Sequence, residues 1–519
     1  MKKVLTMFFV FSMPCLIFAS EMPDTNIVRN CTSGCSAAVR VCCTHLTNQI
    51  QNAVTTLVTT ITTQSQSLCN ATIPITTIPF VITDSGNYCL TQDLVFSGTG
   101  AAITVLANNV TLNLDNHDIL LTSSGVGIFI AGSHVTIQNG ALTGSGSGIG
   151  IAISNAQKII ITDTVVTHFL HGLDLVDVSD VQVVNTQCAN NQTGAAILAT
   201  TNTSFDTCVF TGGDNGMVFS GANQDCRIVN SQFPSAIFSN LLVQQINGLL
   251  IDGCSFSDNG GDPTKANLVQ FGDAALTQIC NDVVMRNCTI INKQPALTTS
   301  PEGLGIYHGS GFLIDSCVID IDNTNQDPTV DLSCVHISNP GLGISGTVAS
   351  NVIVRNCVIQ GPATNGLYPD VGSSGVVIEY CLASGAQKDG IFLAGTTNST
   401  VQNNTVVNNG TNGIFLGETS TSNAINNNIV GNNGFNPILT SLPPFGNGIS
   451  IAADSGLNTI QHNEVFNNTL NGINDQGTGN RIFYNSAYAN PSANYVAATD
   501  IIITVAPGAA SLAGQNVDA

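Results

Sequence analysis

The chain has 519 residues, of which only 9% are charged, and 33 acidic residues against 12 basic ones give a formal net charge of −21. A field of that sign repels nucleic acid and anionic membrane surfaces, and no basic stripe offsets it, so we predict neither as a partner. Polyanionic glycans are disfavoured for the same reason unless Ca²⁺ bridges them to the protein.

The N-terminus has the features of a secretory signal peptide. Two lysines precede a mostly apolar run, Val4 to Phe18, and Ala19 is a small residue suited to the last position before cleavage. The run is too short to span a membrane, and no later segment has the 18 apolar residues that a span needs. We therefore predict a cleaved signal over residues 1–19, no membrane insertion, and a secreted, periplasmic or cell-surface protein.

Residues 20–72 form a Cys-rich segment in which apolar residues recur at helical spacing, at Leu46, Ile50, Val54, Leu57 and Ile61. We interpret this helix as a cap over the open end of the fold that follows. A short oligomerising coiled coil is the alternative, disfavoured by many threonines and only two heptads. Because an exported chain can form disulfides, we predict one to three bridges in an N-terminal set of six cysteines. The set is Cys31, Cys35, Cys42, Cys43, Cys69 and Cys89.

From residue 73 to residue 495 one sequence pattern recurs. It consists of an apolar residue, a polar one, an apolar anchor, two more residues, then often Asn or Cys. Most anchors are 22 to 25 residues apart, and four steps are longer, at 29, 34, 35 and 40 residues. A fixed period without a helical pattern indicates one supersecondary unit stacked on itself. The fifteen anchors are Leu112, Ile137, Ile161, Val183, Phe205, Ile228, Ile251, Met285, Ile314, Val354, Ile378, Val401, Ile425, Ile460 and Ile482.

Other positions of the repeat indicate short strands around a core. Five residues after the anchor, position +5, an apolar residue is the rule, and Gly followed by an aliphatic, a polar or aromatic, and an aliphatic residue marks a further strand. At position +3, buried Cys in the middle repeats gives way to Asn, whose amides can hydrogen-bond from coil to coil. We expect these thiols to be reduced, with disulfides between neighbouring coils as the alternative. The residues at +3 are Cys208, Ser231, Cys254, Cys288, Cys317, Cys357, Cys381, Asn404, Asn428, Asn463 and Asn485.

Two or three short strands per repeat make a right-handed parallel β-helix, so the predicted fold is an all-β solenoid of about fifteen coils with a short N-terminal helical cap. Residues 496–519 are predicted to close its C-terminal end. The segments Asn398–Leu416 (NSTVQNNTVVNNGTNGIFL) and Ile82–Leu114 resemble right-handed parallel β-helix repeat proteins of the pectin-lyase-like superfamily, those with NosD-like repeats above all. That resemblance implies the fold but no single function, since this fold hosts many activities. Motifs of its catalytic branches, such as Asn-Thr-Asp, Gly-His-Gly and Arg-Ile-Lys, do not occur here.

Two rows of residues are predicted to point outward from the middle coils. One alternates in charge just after the anchors and is interpreted as a surface salt-bridge row that pins the register: Asp252, Arg286, Asp315, Arg355 and Glu379. The other carries rings in the strand marked by Gly and is predicted to bind a ligand: Tyr307, His336, Tyr368, Phe392 and Phe415. Exposed rings mark contact surfaces, and sugar rings stack on them. The alternative is that inserted loops fold back and bury the rings.

Candidates for chemistry are few. His336 is predicted to point outward and is a candidate acid or base, whereas His308 is predicted to lie in the core. Asp174, near His171, is the other catalytic candidate, while Asp177 and Asp180 suit a turn.

Metal binding is predicted only as a hypothesis. Asp320, Asp322 and Asp327 supply hard oxygen ligands at short spacing, which suggests a Ca²⁺ loop, although the spacing lacks the Gly and Glu of an EF-hand. We otherwise predict no cofactor.

These observations favour a secreted or surface β-helix protein that binds a glycan, or serves in adhesion or structure, through an exposed aromatic face. Its partner would be a polysaccharide or a cell-surface protein. The alternative is a carbohydrate-active enzyme, of the hydrolase or epimerase class, that acts on a neutral polysaccharide with His336 and a neighbouring Asp as acid and base.

Overall fold

A computed structural model of the protein describes residues 72–211, 213–257, 268–272, 279–292, 302–322, 333–337, 349–435 and 446–497. The chain divides into two units, Met1–Asn70 and Ala71–Ala519, and the described residues all belong to the second. The predicted signal peptide, nearly all of the predicted cap and most of the predicted closing segment lie outside the described residues and stay predictions. So does the pairing of the N-terminal cysteines, of which only Cys89 is described, as a buried residue.

The described part of the chain is a right-handed parallel β-helix of about fifteen turns, which confirms the predicted fold class. Each coil passes through three strands, and equivalent strands of successive coils pair in parallel. We call the anchor-bearing strands face 1, the strands that carry position +5 face 2, and the strands marked by Gly face 3. No helix occurs among the described residues, and so none that is long and apolar enough to cross a membrane.

The strands of face 1 are Ile73–Ile75, Gly86–Leu90, Val110–Asn113, Val135–Thr143, Gln157–Thr167, Ser179–Val184, Thr201–Asp206, Asn223–Val229, Ile246–Asp252, Cys280–Arg286, Gly309–Asp315, Ser350–Arg355, Val377–Glu379, Thr400–Gln402, Ala424–Asn426, Thr459–Gln461 and Arg481–Phe483. Val135–Thr143 and Gln157–Thr167 continue through the corner into face 2. The other strands of face 2 are Leu94–Phe96, Asp118–Leu121, Gln187–Ala189, Val209–Thr211, Gln232–Pro234, Ser255–Ser257, Thr289–Asn292, Val318–Ile321, Val358–Gln360, Leu382–Ser384, Thr405–Val407, Ile429–Gly431, Glu464–Phe466 and Ser486–Tyr488. The strands of face 3 are Phe80–Ile82, Ala101–Val105, Val126–Ile130, Ile149–Ser154, His171–Val176, Thr193–Leu198, Asn215–Ser220, Ser239–Val243, Val269–Phe271, Leu304–Ile306, Ser333–Ile337, Asn365–Pro369, Ile391–Ala394, Ile414–Gly417, Ile449–Ile451, Asn471–Asp475 and Ala493–Ala497.

The fifteen predicted anchors lie in one column of face 1, each paired with the next from Leu112 to Ile482. All are buried. Position +5 forms a second buried column on face 2, in which Phe210, Phe233 and Phe256 stack at centroid distances of 5.2 and 4.8 Å. The apolar pattern therefore set the register of the whole solenoid, because a slip by one residue would turn these side chains to solvent.

Hydrogen-bonded asparagines join the C-terminal coils, as predicted at position +3. Asn428 Oδ1 accepts bonds from the backbone N–H and the Nδ2 of Asn404, both at 3.0 Å. Asn428 Nδ2 donates to Val401 O and to Asn463 Oδ1, both at 2.9 Å. Two further Asn ladders, which the sequence analysis did not predict as such, occupy other turns of these coils. They are Asn423, Asn458 and Asn480, and Asn409, Asn433, Asn468 and Asn490.

The turn between faces 1 and 2 requires a left-handed backbone two residues after the anchor, at position +2. Asn, Asp and Gly tolerate this conformation, and Asn185, Asn230 and Asn287 occupy it with φ between 47° and 54°. Asn is therefore frequent in the repeat for two separate reasons, the left-handed turn at +2 and the amide ladder at +3.

Candidate functional site

Four of the five predicted face-3 rings form a continuous stack on consecutive coils. His336 pairs in register with Tyr368, and Phe392 pairs with Phe415. The ring centroids from His336 to Phe415 are 4.8, 5.1 and 4.9 Å apart, and successive planes differ by no more than 23°. We call these four residues the ring stack.

Tyr307 does not belong to this column, which corrects the predicted alignment. Gly305 pairs with His336, and Tyr307 follows the end of its strand. The signal was present in the sequence, because Gly303-Leu304-Gly305-Ile306 matches the face-3 pattern with Gly in place of the ring. Tyr307 still reaches the site, since its ring meets the His336 ring edge-on at 5.9 Å.

The ring stack is not the exposed aromatic surface that the sequence predicted. Tyr368 is only 5% exposed, and Phe392 and Phe415 are half-buried. Parallel strands place successive rings about 4.8 Å apart, so each ring covers the face of its neighbour and only the ring edges reach solvent. A sugar that stacks needs a free ring face, so the ring stack is poorly suited to hold one in that way.

Two carboxylates lie on either side of the His336 imidazole at the end of the ring stack. Nδ1 of His336 lies 2.5 Å from Oε1 of Glu302, and Nε2 lies 3.6 Å from Oδ2 of Asp370. Tyr307 donates its hydroxyl to Glu302 Oε2 at 2.9 Å, and Tyr368 donates to Asp370 Oδ1 at 3.2 Å. We call these five residues the carboxylate–imidazole cluster.

The cluster is a largely buried concentration of charge. The side chains of Glu302, His336 and Asp370 are 9 to 16% exposed. Burial lowers the pKa of His336, but the Glu302 and Asp370 carboxylates outweigh burial and raise this pKa to about 10. Burial acts against ionisation of Asp370 too, yet its contact with His336 leaves the pKa of Asp370 lower than usual. His336 is therefore an imidazolium near neutral pH, a hydrogen-bond donor rather than a base.

Glu302 and Asp370 were not predicted as site residues. Glu302 directly precedes Gly303 at the start of a face-3 strand, and Asp370 directly follows Pro369 at the end of another. In a chain with 9% charged residues, two acids at the ends of strands in the aromatic column were a usable signal.

The second catalytic candidate, Asp174, lies far from His336. Both belong to the outward column of face 3, but six coils separate them. At about 4.8 Å per coil this is roughly 29 Å, too far for a shared acid–base step. Asp174 Oδ2 instead lies 3.7 Å from Nδ1 of His171, and Asp177 and Asp180 occupy left-handed turns. His308 is buried, as predicted.

The metal hypothesis is not advanced by the described residues. Asp320 accepts a hydrogen bond from Gln360 Nε2 at 3.0 Å, and Asp322 lies two residues further on. Asp327 lies outside the described residues. Among those described, no group of three His, Cys, Asp or Glu side chains is arranged to hold a metal ion. The Ca²⁺ loop stays a prediction.

The predicted charge row is present on face 1 and resolves into discrete pairs. Its five members pair in register from Asp252 to Glu379. Arg286 contacts Asp252 at 2.8 Å, and Arg355 contacts Asp315 at 2.9 Å. Each arginine therefore reaches back to the preceding coil, which is the structural role predicted for this row.

The family is established by sequence. The model of the right-handed β-helix region matches residues 80–233 and 312–442, more than half of the chain. The protein belongs to this family of right-handed β-helix proteins. A search of curated proteins found no match.

Three solved structures illustrate the similarity of this chain to proteins of low sequence identity. The Dettilon tailspike protein gp208 is 13% identical to this chain; the alignment covers 74% of this chain and 60% of the tailspike chain, with a TM-score of 0.31. The A-module of the mannuronan C-5 epimerase AlgE6 of Azotobacter vinelandii is 13% identical, with coverages of 86% and 93% and a TM-score of 0.29. The catalytic unit of a GH87 α-1,3-glucanase from Streptomyces thermodiastaticus strain HF3-3 is 13% identical, with coverages of 79% and 64% and a TM-score of 0.40.

Proposed function

We propose that the protein binds a neutral polysaccharide at the carboxylate–imidazole cluster. The observation that carries this proposal is the ion-paired His336 between Glu302 and Asp370, with a tyrosine hydroxyl on each carboxylate. Carboxylates accept hydrogen bonds from sugar hydroxyls, and tyrosine hydroxyls can both accept and donate them. The edges of the ring stack extend this surface with apolar contacts.

The charge of the chain supports a neutral ligand. Two carboxylates and one imidazolium leave the cluster with a formal charge of −1, within a chain whose formal charge is −21. A polyanionic glycan would be repelled by both, whereas a neutral glycan would not.

A second candidate function is hydrolysis of the bound glycan, and the pair of carboxylates favours it. Glycosidases use two carboxyl groups that flank the scissile bond. Asp370, whose pKa lies below its usual range, suits the ionised partner of such a pair, and Glu302 supplies the second carboxyl group. His336, with a pKa of about 10, would orient both carboxylates instead of exchanging the proton itself. This replaces the predicted use of His336 as acid or base.

The test is electrophoresis of the full mature chain in gels that contain laminarin, galactomannan or dextran, with assay of new reducing ends in parallel. We expect at least one of these glycans to retard the protein, and Glu302→Gln and Asp370→Asn to weaken retardation by about tenfold. The matched control is Asp174→Asn, which removes a carboxylate from the outward face-3 column six coils from His336. This variant should behave like the wild type.

The outcomes separate the two candidates. Retardation without new reducing ends supports binding alone. New reducing ends that disappear in Glu302→Gln support hydrolysis. Full retardation of both cluster variants would show that the glycan binds elsewhere, and no retardation of the wild type by any of the three would contradict the neutral-glycan class.

A further inference from the structure

A second group of rings lies on the last two face-1 coils, at the corner between faces 1 and 2. The rings of His462 and Tyr484 stack at 5.3 Å with 13° between their planes, and those of Phe466 and Tyr488 stack at 5.6 Å with 11°. Phe483 meets Tyr484 edge-on at 5.4 Å. We call these five residues the terminal patch. Unlike the ring stack, it is open to solvent, with Tyr484 42% exposed and Tyr488 36% exposed.

The two tyrosines each have one ring face covered by a ring of the preceding coil. Phe466 lies between Gly431 and Tyr488, and a Cβ atom at position 431 would come within 2.7 Å of the Phe466 ring. Glycine is thus needed there for the ring to lie on the backbone. No ring among the described residues stacks on the opposite faces of Tyr484 and Tyr488. Two exposed ring faces therefore lie on the same coil, four residues apart.

The backbone beneath the patch does not explain why rings occur there. His462 and Tyr484 occupy the left-handed position +2, with φ of 56° and 55°, where the two preceding coils have Asn403 and Asn427. A bulky side chain in this conformation is unfavourable compared with Asn or Gly. The turn does not require a ring, and Tyr380 occupies the same position alone; what distinguishes the patch is that rings at this position stack on consecutive coils.

We propose that the terminal patch is a second binding surface for a neutral polysaccharide, with sugar rings stacked on Tyr484 and Tyr488. For its class of ligand the proposal rests on the proposed function, but its site is separate. Sugars place their apolar face on an aromatic ring and their hydroxyls at its edge, where Glu464 already accepts a 2.6 Å hydrogen bond from the Tyr488 hydroxyl.

The charge of the patch and of the chain favours a neutral glycan over a polyanion or a second copy of the chain. Glu464 and Arg481 are the charged residues nearest in register to the patch rings, so the patch itself is close to neutral. A polyanion would meet the net charge of −21 on the chain, and a second copy would meet the same repulsion.

The test compares full-length Tyr484→Asn/Tyr488→Ser with Tyr380→Asn in the same laminarin, galactomannan and dextran gels, with alginate as the polyanion. Tyr380 is an exposed tyrosine at the same left-handed position, without a ring stacked on it among the described residues, so it is a matched control. We expect the double variant to bind about tenfold more weakly, and Tyr380→Asn to match the wild type. Because the chain has seven tyrosines and no tryptophan, tyrosine fluorescence should also change on binding in the wild type and much less in the double variant.

Each outcome supports or overturns the patch. Unchanged binding by the double variant overturns the patch as a binding surface. If Glu302→Gln abolishes binding in that case, the proposed function at the carboxylate–imidazole cluster still stands. Loss in the double variant alone supports the patch and contradicts the cluster as the binding site. Retardation by alginate alone would overturn the neutral ligand. If light scattering shows a wild-type dimer that becomes monomeric in the double variant, and no glycan binds, the patch is a self-association surface instead.

Discussion

The middle and C-terminal coils fill the same buried position, +3, with different chemistry. In the middle coils Cys254, Cys317 and Cys381 are free thiols that point at a carbonyl of the preceding coil, with Sγ–O distances of 3.5 to 3.8 Å. In the C-terminal coils Asn404 and Asn428 make hydrogen bonds of 2.9 to 3.0 Å to both neighbours. The amides bind coil to coil directionally, whereas the thiols mainly fill volume.

The two groups of coils also differ in what their outer surfaces carry. The carboxylate–imidazole cluster and the charge row both lie on the thiol coils, which also have the steps of 29, 34 and 40 residues between anchors. Apolar packing and an exterior charge row tolerate insertions, because neither requires each coil to present the same polar atom at the same height. The ladder coils contain one insertion as well, the 35-residue step from Ile425 to Ile460, and the hydrogen bond from Asn428 Nδ2 to Asn463 Oδ1 spans it. The comparison can be tested by substituting, in turn, one residue of an Asn ladder, of the carboxylate–imidazole cluster, of the thiols at position +3 and of the charge row.

The largest effect is expected at the centre of an amide ladder. Asn428→Ala removes the acceptor of the Asn404 backbone N–H and the donor to Val401 O, and both groups are then buried without that partner. We expect a loss of about 4 kcal/mol in the free energy of unfolding, measured by urea denaturation. The control is Asn426→Ala, an asparagine of the same coil at the outward position after the anchor; its Oδ1 has no hydrogen-bond partner among the described residues, so its loss should cost less than about 0.5 kcal/mol. Equal costs would mean that the ladder is not what holds these coils.

The next largest effect is a pH dependence at the cluster in the thiol coils. The pKa of His336 is raised to about 10 in the folded protein, so its stabilising contribution is complete below the unfolded value of about 6.5 and is lost as pH rises through 10. Between pH 7 and pH 9.5 this loss amounts to about 3 kcal/mol of unfolding free energy. Other groups titrate in this range too, so the measurement is the difference between wild type and His336→Gln. A difference that does not change with pH would contradict the ion pairs with Glu302 and Asp370.

A smaller effect is expected from a thiol at position +3. Cys317 is buried and its Sγ lies 3.8 Å from Met285 O, so Cys317→Ala loses a small apolar volume and little hydrogen bonding. We expect a cost of about 1 kcal/mol by the same urea titration, a quarter of that for Asn428→Ala. The outcome that would erase the contrast between the two regions is a Cys317→Ala cost as large as the asparagine one.

What the sequence could predict follows from which contacts are repeated. The anchors and the +5 column recur in every or nearly every coil, and the charge row recurs in five consecutive coils, so a shift of register would have broken many contacts at once. Glu302 and Asp370 meet His336 only once, from strand ends on two other coils, and no periodic pattern marks such a contact. Tyr307 was assigned to the wrong column because a ring was expected where the strand has Gly305. Exposure of the ring stack was misjudged because alternation predicts direction and does not predict that neighbouring rings cover one another.

The smallest effect is expected from the charge row, and its size decides whether the row or the apolar columns hold the thiol coils. Arg286 is half exposed and donates from Nε and Nη2 to Asp252 Oδ2 at 2.9 and 2.8 Å. Asn287 donates to the other oxygen at 2.8 Å, so Asp252 keeps a partner in Arg286→Gln. Exposed pairs contribute little, and we expect a loss of about 0.5 kcal/mol that falls towards zero in about 1 M NaCl, where the Debye length is about 3 Å. A loss of several kcal/mol that persists in salt would make the charge row a main support of the thiol coils. The tolerance of these coils for insertions would then be due to charge pairing rather than to the buried columns.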